Sequence, residues 1–227
     1  MLLSLYARIG ESDCESIASG VLAQPVNTLS SLAYSIVGIV IVGWAFRANG
    51  QERLVRIVFG VLMVATGAGS VMFHGPQGQG SQFFHDVTFL LALLFFAVLN
   101  TSTALSWAQS RRWAAFGAAA IVISGGLLLS SGATNAVMVA LVVSVIGSDV
   151  ALHRISPRGG WWYTTSLVAM TAAIAMFLLG RSGGPICDPE SIFQGHALWH
   201  VLGAVALGTY FVATTRSRLE TTMEESS

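Results

Sequence analysis

The sequence predicts an all-α integral membrane protein, a bundle of seven transmembrane helices with its N-terminus outside and its C-terminus in the cytoplasm. Three observations carry this expectation. The first is composition: 54% of the 227 residues are hydrophobic and 10% charged, against about 25% charged in a soluble domain. The second is a set of seven apolar runs, each long enough to cross about 30 Å of hydrocarbon. The third is the placement of arginine.

The runs cover residues 28–46, 54–73, 84–105, 113–129, 134–152, 161–180 and 194–214. Only residues 130–133 divide the fourth from the fifth, but one helix across both would be far too long. The chain thus divides into an extracytoplasmic segment (1–27), a transmembrane domain (28–214) and a cytoplasmic tail (215–227). Met1 to Leu5 is too short an apolar stretch for a signal peptide and has no basic flank. The first span is therefore expected to act as its own insertion signal.

All 11 cations are arginine. With seven spans, one side holds Arg47, Arg53, Arg56, Arg111, Arg112, Arg154, Arg158, Arg216 and Arg218, and the other keeps Arg8 and Arg181. That split is a strong positive-inside bias, and six or eight spans would scramble it. Net charge is zero and no basic patch forms, so nucleic acid is not expected as a partner. The absence of lysine excludes Schiff-base chemistry. The two cysteines, Cys14 and Cys187, both fall on the outer, oxidising side, where they either bridge or remain two unrelated thiols.

Orientation also groups the polar residues of the spans. His196 and His200 stand four apart, so on a helix they share one face with Cβ atoms about 6 Å apart, close enough for both to reach one metal ion. Ser70 and His74 repeat that spacing at the outer end of the second run, and Asp86 lies at the outer start of the third. Intramembrane ionisable residues are costly and mark functional sites by default. Taken singly, each has a duller account: Ser70 bonding a carbonyl of its own helix, His74 pairing with Asp86, His196 and His200 facing interfacial water. Their convergence at one depth favours a metal site. His74, His196 and His200 are the expected ligands, and three imidazoles with an open fourth position are a catalytic zinc arrangement. Asp86 is expected to orient or deprotonate a bound water, and Ser70 to donate to substrate or an oxyanion. His85 is either a supporting partner or faces the lipid headgroups. Asp149 and His153, near the inner end of the fifth run, read as interface residues, with the Asp149 charge unaccounted for. Gly38, Gly43, Gly67 and Gly69 read as close-packing positions between helices.

The series Gly69-Ser70-x-x-Phe73-His74, an aspartate at the next helix start and His196-x-x-x-His200 resembles the alkaline ceramidase family. That family belongs to a seven-helix hydrolase superfamily that also holds the progestin and adiponectin receptors. Cys14-Glu15 and Asn27-Thr28-x-Ser30 look like the same branch. The resemblance implies zinc held by His74, His196 and His200, with Ser70 and Asp86 as catalytic partners. It also implies hydrolysis of a lipid amide such as ceramide to a fatty acid and a free amine, and a Cys14–Cys187 bridge. Two departures stand out. The family places an Asp-Glu pair where His85-Asp86 stands here, which leaves the register of the catalytic acid open by one residue. Its calcium site draws acidic and amide ligands from the N-terminal segment, where Ser12, Ile17 and Gln24 stand here. Glu15 and Asp13 remain as weak calcium ligands near Glu11, so this site reads as degenerate or absent.

The leading expectation is a zinc-dependent lipid amidase in a bacterial inner (cell) membrane, its site toward the outer face and a membrane lipid as its substrate. The second is a lipid receptor or binding protein that keeps zinc for structure. A haem protein with axial histidines would show a Soret band, and a transporter would show broken helices repeated in its two halves, which are not found.

Overall fold

The computed structural model describes residues 9–155 and 158–225, side chains excepted at 131 and 216–225. Met1 to Leu5 and Arg8 lie outside the described residues. Seven helices follow in order: α1 Pro25–Ala45, α2 Gly50–His74, α3 Ser81–Ala104, α4 Gln109–Leu129, α5 Thr134–Ile155, α6 Gly160–Leu179 and α7 Gly195–Glu225. All seven are long and apolar enough to cross a membrane, and no strand occurs among the described residues.

The helix ends follow from local chemistry. Pro25 opens α1 at a position where its missing N–H costs nothing. Gly75 and Pro76 stop α2 directly after His74. A single 3-10 turn, Ser131–Ala133, separates α4 from α5, which upholds the narrowest division expected from the sequence. Helix α2 begins four residues before its apolar run and so takes in Arg53. Arg56 is buried, because its guanidinium lies 3.6 Å over the Trp44 ring, donates to the Trp44 carbonyl and pairs with Glu52. Helix α7 continues past Thr214 to Glu225.

Helices α1, α2, α3 and α7 form the packed centre, while α4, α5 and α6 line its flank. Glycine sets the α1–α2 distance. A Cβ on Gly38 would stand 2.5 Å from the Gly60 carbonyl oxygen and 2.7 Å from the Val64 nitrogen. Gly67 packs on Ser35 in the same seam, and Gly69 abuts the Phe84 carbonyl of α3. Gly43 departs from the expected pattern, with nothing within 4 Å of its would-be Cβ. The mid-bundle core is aromatic: Phe59 stacks on Phe211 at 4.4 Å and on Phe95 at 5.3 Å, with Phe96 at 4.9 Å.

At the end where most arginines gather, a polar cluster ties the flank to the centre. The Asp149 carboxylate of α5 accepts from Arg158 at 2.9 Å, Tyr210 of α7 at 2.6 Å and Tyr163 of α6 at 2.6 Å. Asn100 of α3 donates in turn to the Tyr210 hydroxyl at 2.7 Å. The Asp149 charge that the sequence left unaccounted for thus has its partners, while His153 is exposed near the helix end. Asp149 is the hub of a network reaching four helices, and the His153 ring accepts from the Arg158 backbone N–H. The sequence hides this because the partners come from four separate elements.

Candidate metal centre

The opposite end of the bundle gathers the other histidines. Helix α2 delivers Ser70 and His74 in its last turns, and α7 delivers His196 and His200 in its first two. Helix α7 can start beside α6 because Gly195 meets Gly180 without side chains; a Cβ on Gly195 would lie 2.6 Å from the Gly180 Cα. The three rings stand 4.9, 5.0 and 4.6 Å apart between centroids (His74–His196, His74–His200, His196–His200). One nitrogen from each lies within 4.8 Å of the others. All three are buried, at 0%, 5% and 1% exposure.

The hydrogen bonds around the cluster decide which nitrogen faces inward. Gln24 spends its amide N–H groups on the carbonyls of Gly10 and Glu15, each at 2.9 Å. Its carbonyl oxygen therefore accepts, at 2.7 Å, from His74 Nδ1–H, which leaves His74 Nε2 as a bare lone pair without a partner. The same logic holds at His200. The Ser30 hydroxyl donates to the Asn27 carbonyl at 2.9 Å, so its oxygen accepts from His200 Nδ1–H at 2.9 Å. Among the described residues neither nitrogen of His196 has a hydrogen-bond partner, and Nδ1 lies 3.5 Å from Asp13 Oδ1. Three buried imidazoles thus turn lone pairs toward one point. Buried polar atoms without partners are rare in native proteins, and a cation held here would satisfy His74 Nε2 and His196, together with His200 Nε2, whose other contact is the Ser70 hydroxyl at 3.4 Å.

Ser70 stands at this point. Its hydroxyl is 3.4 Å from His200 Nε2 and donates at 2.8 Å to Ser31 Oγ, since Ser31 already donates to the Asn27 carbonyl. Asp86 is placed differently. Its carboxylate accepts from Gln82, His85 Nδ1 and Thr134, each at 2.9 Å. The His85 ring stacks on Phe73 at 4.4 Å and comes within 6.0 Å of the His74 ring. His85 therefore stands between the Asp86 carboxylate and the cluster.

The two carboxylates expected as weak calcium ligands have other partners here. Glu15 accepts from the backbone N–H groups of Val26 at 2.7 Å and Asn27 at 2.8 Å, capping the start of α1 from ten residues upstream of that helix. Burial pushes its carboxyl up from the ordinary value, against those two hydrogen bonds. Asp13 accepts from Ser12 at 3.1 Å and faces His196; burial pushes its carboxyl up as well, against the Ser12 bond. The Cys14–Cys187 disulfide is formed, with Cα atoms 5.6 Å apart.

Asp13, Gln24, Ser30 and Ser31 were not singled out in the sequence as partners of the histidines. For the serines a signal existed, because Asn27, Ser30 and Ser31 are polar residues opening an apolar span at the depth of the histidines. Asp13 and Gln24 sit in an aperiodic segment that gives no such cue. The chain matches no family model, and no curated protein or solved structure is significantly similar to it.

Proposed function

We propose that the protein is a zinc-dependent intramembrane hydrolase that cleaves the amide bond of a lipid such as ceramide, releasing a fatty acid and a free amine. The observation that carries this reading is the set of three buried imidazoles whose Nδ1 sides face Gln24, Ser30 and Asp13, and whose remaining lone pairs converge beside the Ser70 hydroxyl. Three protein ligands leave a coordination position open, which distinguishes a catalytic from a structural zinc site. Zinc held there would lower the pKa of water to about 7 and polarise the amide carbonyl.

The chain's own residues supply the rest. Ser70 is placed to donate to the carbonyl oxygen as it gains charge, exchanging its bond to Ser31 for one to substrate. Asp86, fixed by Gln82 and Thr134, is the proton acceptor, and His85 is the relay that passes the proton toward the leaving amine. On the arginine bias we further propose that the histidine end faces away from the cytoplasm, in a bacterial cell membrane.

The test is elemental analysis of the detergent-purified protein followed by an assay for fatty acid released from N-acyl lipids. About one zinc per chain is expected in the wild type and none in His74→Ala. Asp86→Asn should keep the zinc and lose at least about 100-fold in turnover, the scale of a lost acid–base group. Zinc without turnover on any N-acyl lipid would leave the lipid-binding alternative standing, and absence of metal from the wild type would end both.

A further inference from the structure

Residues 11–16 are fastened at four places to the connection that launches α7. The Ser182 backbone N–H donates to the Ser12 carbonyl at 3.1 Å, and the Ser182 hydroxyl donates to the Glu11 carbonyl at 2.6 Å. That hydroxyl also accepts from Cys14 N–H at 3.1 Å, and Ser16 N–H donates to the Pro189 carbonyl at 3.0 Å. The Cys14–Cys187 disulfide closes the same seam. Within it Cys14 holds a left-handed backbone, φ 71°, which a side-chain-bearing residue adopts only where its surroundings impose it. Between these fastenings lies Asp13, 5% exposed, its carboxylate 3.5 Å from His196 Nδ1. Of the three rings, His196 alone lacks a hydrogen bond on Nδ1. Gln24 and Ser30 already serve that role for His74 and His200.

We infer that Asp13 is the positioning residue for His196, the carboxylate that fixes its ring and tautomer for metal binding, and that the Cys14–Cys187 bridge holds Asp13 in that place. The inference rests on the zinc reading above and adds how the centre is completed. A movement of about half an ångström brings the pair to hydrogen-bond distance. A ring whose Nδ1–H is held by a carboxylate presents a more basic, correctly aimed Nε2, and such partners are worth about 10–100-fold in metal affinity. The N-terminal segment is on this account part of the metal centre, since α1, α2 and α7 alone leave His196 unsupported.

The experiment is a competition titration of zinc against a chelator of known affinity, run on the full chain in detergent, with the unfolding temperature of the metal-stripped protein measured in parallel. Asp13→Asn should weaken zinc binding about 10–100-fold with the metal-stripped unfolding temperature unchanged. The Cys14→Ser/Cys187→Ser protein should bind zinc more weakly as well, and adding Asp13→Asn to it should cost little more, because the two changes remove one interaction. Unaltered affinity in Asp13→Asn, in a wild type that holds zinc, overturns the role of Asp13 while the zinc reading stands. Losses that multiply overturn the link to the disulfide. A wild type that binds no zinc overturns the metal reading itself.

Discussion

Glu15 shows how a single side chain can hold a structural role that the sequence does not display. An acidic residue in an N-terminal segment reads as a cation ligand, yet both of its oxygens accept backbone N–H groups in the first turn of α1. Those N–H groups have no partner within the helix, and Pro25 cannot be bonded in their place. Glu15→Ala is therefore expected to destabilise the protein by about 1–2 kcal/mol, the range of a lost cap, and Glu15→Gln by less, since it keeps an acceptor. Thermal unfolding of the two variants checks the order. If the two lose equally, a neutral amide oxygen does not replace the carboxylate as the cap there. The four side chains with strongest sequence signals, Ser70, His74, His196 and His200, meet as expected because helical spacing alone aligns each pair. Asp13 and Gln24 escape notice because their placement depends on turns and a disulfide, which have no period.

At the scale of elements, all seven helices are legible from hydropathy, with boundaries that shift by a few residues where a cap or an aromatic shelf extends them. Arg56 is the instructive case: its charge assigns it to the connection before the second span, and Trp44 lets it be buried inside the helix. Which helix faces touch is less legible. Four glycines looked alike in sequence, yet Gly38 lies against the backbone of α2 and Gly43 against open space. Gly38→Ala is expected to force α1 from α2 and cost about 1–3 kcal/mol. Gly43→Ala should be neutral or slightly stabilising, since alanine is the better helix former. Reversible unfolding in mixed detergent measures the pair, and equal losses would mean that the seam does not set the helix distance.

For the whole molecule, orientation is an expectation carried by the uneven count of arginines across alternating connections. A protease site placed after Glu225 should be cut only from the cytoplasmic side of sealed cells or vesicles, and one placed before Glu11 only from the other. Cleavage of both from the same side would refute seven spans.

The stacked rings of Phe59, Phe95, Phe96 and Phe211 bear on proton traffic. Phe59 precedes Ser70 by eleven residues on α2, and Phe211 follows His200 by eleven on α7, so the rings lie about 16 Å deeper than the histidines. They form an apolar layer between the histidines and the Asp149 cluster. Under the proposed function, a proton gained or lost at the histidine end would be exchanged with the compartment that end faces and not passed through this layer.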